Sequence, residues 1–167
     1  MQLISDSYKA LQADLHARFD YGHGGDAAEC SAIVSGWPGS TVLDYGCGQG
    51  HLARRLRDLE FEVEEYDPAI EGKDIDPHRA DIVVCADVLE HIEPECLDDV
   101  LLHLRALTKK FGIFIIATEP SKKIMADGRQ AHLIVETAGY WFQKLTGLFN
   151  FERFEDRSDR GKGLLIV

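Results

Sequence analysis

Hydrophobic positions along the chain follow helical spacing in some segments and strand-like runs in others. Near the start, apolar side chains recur every three or four residues from Ile4 to Leu15, which predicts an amphipathic helix over 5–18. A second helix is predicted over 27–35, before a turn that contains Pro38. The chain therefore opens with two helices.

Beyond that turn, strands and helices alternate. The predicted strands are 41–45, 61–66, 81–86, 111–118, 151–156 and 163–167. The predicted helices among them are 52–59, 94–107 and 138–149. The run 113–116, Ile-Phe-Ile-Ile, has no polar alternation, as expected of a parallel strand with both faces buried. This order predicts an α/β protein with helices on both faces of a mostly parallel sheet, and ligands at the carboxyl ends of its strands.

Glycines follow the first predicted strand at every second position. Gly46, Gly48 and Gly50 stand between the strand and the next helix, where a ligand can lie directly against backbone. A dinucleotide-binding turn would have its third glycine at 51, but the chain has His51 there. A carboxylate at Asp44 would also repel a pyrophosphate, whereas it would attract a cationic ligand. The turn therefore disfavours a nicotinamide dinucleotide.

The segment 42–50, V-L-D-Y-G-C-G-Q-G, resembles motif I of class I S-adenosylmethionine-dependent methyltransferases. Asp67, at the end of the second predicted strand, resembles the acid that bonds the cofactor's ribose hydroxyls in that family. The segment 81–92, D-I-V-V-C-A-D-V-L-E-H-I, resembles the fourth strand and following loop of a branch that includes many small-molecule methyltransferases. The resemblance extends over 41–154 and, through the order of elements, to the last strand.

This resemblance implies a Rossmann-like sheet of six or seven strands in the order 3-2-1-4-5-7-6, with the last strand antiparallel. Strand 3 is expected to be short or missing, because only residues 68–80 separate Asp67 from the fourth strand. The chain is expected to form a single methyltransferase domain over 1–167, with an N-terminal helical cap at 1–36 and a cofactor-binding core at 41–167.

The resemblance also implies S-adenosylmethionine as the cofactor. The glycine turn would meet its methionine end, Asp44 would offset its positive charge, and Asp67 would accept hydrogen bonds from the ribose. An acid followed by an apolar residue would hold the adenine; Asp74 with Ile75 fits that pattern, and Asp76 is an alternative. The implied cofactor-binding residues are Asp44, Tyr45, Gly46, Cys47, Gly48, Gly50, Asp67, Pro68, Asp74, Ile75, Ala86, Asp87 and Val88.

Methyl transfer is an in-line displacement, so positioning supplies most of the rate and a base is needed only where the acceptor carries a proton. The candidates for a base or a substrate contact are Glu90 and His91, after the fourth strand, and His132, after the fifth. For His91 a loop-capping role is equally open. The sequence predicts no metal site, because its histidines and cysteines show no ligand spacing.

Charge narrows the choice of acceptor. The chain has a formal net charge of −11, and residues 58–99 alone hold sixteen acids against two bases. That distribution disfavours nucleic acid and anionic membrane surfaces as partners. Lys122, Lys123 and Arg129 follow the fifth strand, where they could meet an anionic substrate or simply form a solvated loop. We therefore expect methylation of an oxygen or nitrogen on a small-molecule acceptor, and these bases leave room for an anionic one.

Two other functions stay open on the sequence alone. One is a catalytically silent module that binds S-adenosylmethionine, and the other is a nucleotide-dependent oxidoreductase of related fold. The four cysteines form no C-x-x-C pair and no apolar leader precedes the first helix, so we expect a cytoplasmic protein with reduced thiols. The stretch Tyr21-Gly22-His23-Gly24-Gly25 is either the hinge of a lid or a plain connector.

Overall fold

The computed structural model describes residues 1–18 and 26–166, which form one six-stranded sheet flanked by helices. The helices are α1 (Asp6–Arg18), α2 (Ala27–Val34), α3 (His51–Asp58), α4 (Leu97–Leu107) and α5 (Ala138–Thr146). The strands are β1 (Thr41–Tyr45), β2 (Glu62–Tyr66), β3 (Ala80–Ala86), β4 (Thr108–Ala117), β5 (Arg153–Arg157) and β6 (Lys162–Ile166). The predicted hinge at 21–25 lies outside the described residues.

The sheet has the strand order β2-β1-β3-β4-β6-β5. The strands β2, β1, β3 and β4 pair in parallel, whereas β6 runs antiparallel to both β4 and β5. Residues 67–79 form turns and contain no strand. This topology confirms the Rossmann-like order implied by the sequence, with strand 3 missing and the last strand antiparallel.

Helices cover the sheet on both faces because its central strands are apolar on both faces. In β4, Ile113 and Ile115 pack with residues of α2 and α3, whereas Phe114 and Ile116 pack with residues of α4 and α5. Trp141 of α5 is fully buried on that second face. The unbroken apolar run of β4 therefore reflects two separate cores rather than one.

The helix α1 packs away from both cores. Its Tyr8 and Leu15 form a third apolar cluster with Met125 and Ala131, which belong to the segment after β4. The hydroxyl of Tyr8 also donates to the carbonyl of His91, at 2.5 Å. These contacts hold α1 over the carboxyl edge of the sheet.

The boundaries of three elements differ from the sequence prediction by three residues, and α5 is one of them because it ends at Thr146 rather than at 149. Strand β4 begins at Thr108, three residues earlier than expected. The exposed pair Lys109 and Lys110 interrupts the apolar pattern, so the pattern did not predict this start. The predicted helix at 94–107 begins as a short 3₁₀ turn at Pro94–Cys96, and α4 proper starts at Leu97.

Among the described residues, no helix is long and apolar enough to cross a bilayer.

Candidate active site

A cavity of about 490 Å³ opens at the carboxyl edge of the sheet. Its walls come from the ends of four parallel strands, from α1 and from the segment after β4. The sequence-predicted residues that line it are Asp44, Tyr45, Gly46, Cys47, Gly48, Asp67, Pro68, Ala86, Asp87, Val88, His91 and His132. A volume of this size is typical of small-molecule sites.

The turn after β1 is shaped by glycines in the left-handed backbone region. Gly46 has φ +73°, and its amide donates to the carbonyl of Tyr66 at 2.7 Å. A Cβ on Gly46 would approach Val88 Cγ1 to 2.8 Å, closer than real Cβ atoms come. Since Val88 itself lines the cavity, a side chain at 46 would push into the space where a ligand lies.

Asp67 braces this turn from the end of β2. Its Oδ2 accepts a hydrogen bond from the Gly48 amide at 3.0 Å, and its Oδ1 accepts one from the Ala69 amide at 3.0 Å. His16 of α1 approaches the same carboxylate, with Nε2 4.0 Å from Oδ2. Each carboxylate oxygen has a further lone pair, so Asp67 can still accept from a ligand.

Asp44 is a nearly buried acid at the cavity wall. Its Oδ2 accepts from the Ala53 amide of α3 at 3.2 Å. Burial raises the pKa of Asp44 to about 7, the charge of Glu65 adds to the rise, and the Ala53 amide and Lys73 offset part of it. A cation in the cavity would favour the ionised form of this side chain.

Two histidines meet on the opposite side of the cavity. The rings of His91 and His132 are edge-to-face, with centroids 4.8 Å apart. Burial lowers the pKa of His91 to about 3. Both rings are held by backbone carbonyls, His91 Nδ1 by Ala131 at 2.8 Å and His132 Nδ1 by Glu119 at 2.6 Å.

Glu90 lies behind these histidines and has no surface in the cavity. Its Oε1 accepts from the Ala117 amide at 3.0 Å, while burial and the charge of Asp87 raise its pKa. Glu90 is one of the three candidates for a base or a substrate contact, but its side chain does not line the cavity.

Three further predicted residues lie outside the cavity. Asp74 faces α1, where its Oδ2 pairs with Lys9 Nζ at 2.9 Å, and Ile75 is 74% exposed. The turns that replace strand 3 direct both side chains outward. Neither side chain lines the cavity, although the sequence analysis expected this pair to hold the adenine there. Gly50 adopts φ +73° and leaves room for the paired side chains of Glu65 and Lys73.

Several lining residues were not predicted from the sequence. Tyr8, Gln12 and His16 reach the cavity from α1, and Lys162 reaches it from β6. Lys162 Nζ lies 3.2 Å from Asp87 Oδ1 and also pairs with Asp26. No local motif marks these positions, because each depends on how a distant element packs. The bases Lys122 and Lys123 also line the cavity, whereas Arg129 pairs with Asp127 outside it.

Comparison with known proteins matches this chain to a methyltransferase-domain family over residues 25–154. No curated protein sequence matches it. The match covers most of the chain, so the protein belongs to the methyltransferase-domain family. It is a class I S-adenosylmethionine-dependent methyltransferase, which confirms the resemblance at the level of the family.

Three solved structures with the same fold are distant from this chain in sequence. The chain is 18% identical to 1,6-didemethyltoxoflavin-N1-methyltransferase of Burkholderia thailandensis, with a TM-score of 0.68 over 99% of this chain and 91% of that one. It is 19% identical to magnesium protoporphyrin IX methyltransferase of Synechocystis PCC 6803, with a TM-score of 0.66 over 99% and 98%. The CcbJ methyltransferase of Streptomyces caelestis is 12% identical, with a TM-score of 0.66 over 99% and 98%.

S-adenosylmethionine is the cofactor of this class, and the cavity fits it. A glycine turn that a Cβ would fill gives room for close approach to the backbone, and two acids, Asp44 and Asp67, line the cavity, which suits a cofactor with two cationic groups. Apolar side chains such as Val88 provide most of the remaining wall. The residues present therefore match the size, charge and polarity of the cofactor.

Replacement of Gly46 by alanine tests the need for glycine at this turn. Gly39 provides the matched control, since it has φ +78° and nothing within 4 Å of its Cβ position. Both substitutions incur backbone strain of roughly 1–2 kcal/mol, and Gly46→Ala adds overpacking against Val88 of about 1–3 kcal/mol. Urea denaturation should show the larger loss of unfolding free energy for Gly46→Ala. Equal losses for the two variants would contradict the proposed crowding.

Proposed function

We propose that this methyltransferase transfers the methyl group of S-adenosylmethionine to an oxygen or nitrogen of a small anionic acceptor. The observation that carries the proposal is one cavity lined on one side by the glycine turn and Asp67, and on the other by His132 and Lys122. The first side suits the cofactor and the second suits an acceptor. Helix α1, with Tyr8 at its cavity face, is the proposed cap over both.

The cofactor side works by positioning and charge. S-adenosylmethionine, when bound, supplies an electrophilic methyl group on a sulfonium. We assign Asp44 to the balance of that positive charge and Asp67 to the ribose hydroxyls. The proposed backbone and wall contacts are Tyr45, Gly46, Cys47, Gly48, Pro68, Ala86, Asp87 and Val88. Because Asp67 is already fixed by two amides, it loses little freedom on binding, which favours affinity.

The acceptor side contains the groups that recognise and orient the second substrate. His132 is half-buried at the cavity and its ring is fixed by the Glu119 carbonyl, so its other nitrogen has a defined direction. Lys122 and Lys123 line the same cavity and favour a carboxylate or phosphate on the acceptor. Two of the structural neighbours act, by their names, on a didemethyltoxoflavin and on a magnesium protoporphyrin, which are small molecules.

Formation of S-adenosylhomocysteine from a panel of small acceptors tests the acceptor class. We expect turnover above the solvent background with anionic acceptors, and Lys122→Ala should lower kcat/KM for them about tenfold while sparing their neutral analogues. Lys109→Ala is the control, because Lys109 is exposed on β4 outside the cavity. Cofactor binding without turnover on any acceptor would contradict a catalytic role, and equal effects on charged and neutral acceptors would contradict the anionic preference.

Replacement of Asp67 by alanine tests the cofactor side. Loss of hydrogen bonds to a charged group should weaken S-adenosylhomocysteine binding by about 1.5–3 kcal/mol, measured by calorimetric titration. Asp74→Ala is the matched control, an acid on the same loop that pairs with Lys9 outside the cavity. We expect its affinity to equal that of the unchanged protein. An equal loss in both variants would place the ribose contact elsewhere on the loop.

Asp44 should link both stability and cofactor binding to pH. Its folded pKa of about 7 lies above the unfolded value near 3.9, so ionised Asp44 destabilises the fold. That penalty is absent below about pH 4, grows up to about pH 7 and stays constant above it. Asp44→Asn should therefore raise the Tm at pH 8, with the gain shrinking toward pH 4.

The same raised pKa predicts proton release on cofactor binding at pH 6, where Asp44 is largely protonated in the free protein. Titration calorimetry in two buffers of different ionisation enthalpy measures that release. The Asp44→Asn variant should bind more weakly and release fewer protons. The same proton release from both proteins would show that Asp44 does not meet the cofactor's positive charge.

A further inference from the structure

Glu90, His91 and His132 come together at the acceptor side although the sequence separates the last from the first two. One ligand atom from each of the three side chains lies within 4.8 Å of the others. We infer that these side chains bind one divalent transition-metal ion, which holds the acceptor's reacting atom. The inference deepens the proposed function and rests on it for the identity of the second substrate.

The histidine rings are oriented as metal-binding histidines usually are. His91 Nδ1 contacts the Ala131 carbonyl at 2.8 Å, and His132 Nδ1 contacts the Glu119 carbonyl at 2.6 Å. A carbonyl can only accept, so Nδ1 donates in each ring, and the lone pair of the neutral ring is on Nε2. Backbone carbonyls commonly fix the tautomer and orientation of metal-bound histidines in this way.

Glu90 provides a second, independent observation. Its side chain is fully buried, and Oε2 has no hydrogen-bond partner among the described residues, whereas Oε1 accepts from Ala117. A buried carboxyl oxygen without a hydrogen-bond partner is unfavourable. A cation shared with the two histidines would satisfy it. The Ala117 amide, which donates to Oε1, also fixes the carboxylate in the way that an outer-shell partner fixes a metal ligand.

The donor set indicates the kind of ion. Two imidazoles and one carboxylate suit Zn²⁺, Fe²⁺ or Co²⁺ better than Mg²⁺, which prefers oxygen ligands only. At bond lengths of about 2.1 Å, ligand atoms lie up to about 4.2 Å apart, so small side-chain rotations close the present separation. Three protein ligands leave positions for exchangeable ligands, and His91 and His132 both line the cavity.

An ion at this position would act on the acceptor rather than on the cofactor. It accepts a lone pair from the acceptor's hydroxyl oxygen, which then loses its proton to solvent more readily. A lone pair of that oxygen forms the new bond to the methyl carbon, and the electrons of the broken carbon–sulfur bond stay on sulfur. His132 then contacts the acceptor through the ion, and the chain needs no protein base.

Cobalt binding to the full chain, first treated with chelator and dialysed, tests the inference. We expect one Co²⁺ per chain with an absorption spectrum of nitrogen and oxygen ligands, without the intense thiolate band that the four cysteines would give. His132→Ala should weaken binding at least about tenfold. The control is His78→Ala, since His78 is a largely exposed histidine that contacts Glu64 away from the cavity.

A second variant, Glu90→Gln, keeps the shape of the buried side chain and should also weaken cobalt binding, with its circular dichroism unchanged. No binding at millimolar Co²⁺, or binding that His132→Ala leaves intact, overturns the inference. Titration of the metal-free protein with S-adenosylhomocysteine is a separate readout of the cofactor side. If cobalt does not bind but S-adenosylhomocysteine does, the metal site is rejected and the proposed function stands. If cobalt binds but S-adenosylhomocysteine does not, the proposed function alone is rejected.

Discussion

The parallel pairing of β1 between β2 and β3 is the constraint on which the cavity depends. In that register Asp44 lies opposite Glu65 on one side and Val84 on the other. All three strands therefore end at the same level, and the chain must leave the sheet in the turns that form the cavity wall. A shift of one residue would turn Asp44 to the other face of the sheet. The apolar faces of these strands thus determine where the polar site residues lie.

Asp44 shows how function and stability oppose each other at this edge. The acid is buried beside Glu65 and Asp67, and its raised pKa records the free energy that an unpaired charge costs there. A fold selected only for stability would have an apolar or amide side chain at this position. A cationic ligand in the cavity would recover that free energy on binding, so the buried Asp44 favours a cation there over a neutral or anionic molecule.

The sequence predicts the central part of the fold well because local patterns determine it. The strand at 41–45, the turn of Gly46 and the acid Asp67 depend on neighbours in the chain and on backbone conformation, so they are visible without a structure. Asp74 and Ile75 could not be placed the same way, because a loop that lacks a strand gives its side chains no periodic direction. Lys162 and the meeting of His91 with His132 depend on long-range packing and leave no local signal.

The missing third strand leaves β2 at the edge of the sheet, and the acidic stretch of the sequence protects that edge. Glu65 pairs with both Arg57 and Lys73, and Glu64 contacts His78. Charged side chains on an edge strand discourage pairing with another chain. Much of the charge in 58–99 therefore has a structural role, separate from Asp67, which lines the cavity.

The acceptor side is assembled from three segments that depend on one another. Tyr8 of α1 bonds the carbonyl of His91, the ring of His91 bonds the carbonyl of Ala131, and Ala131 packs against Leu15 of α1. This closed set of contacts does not include the glycine turn. Changes in α1 can therefore alter the position of the histidines, and through His16, which approaches Asp67, they can also affect the wall at the end of β2. The residues proposed to contact the acceptor are therefore placed by tertiary packing, whereas the glycine turn proposed for the cofactor is a local motif.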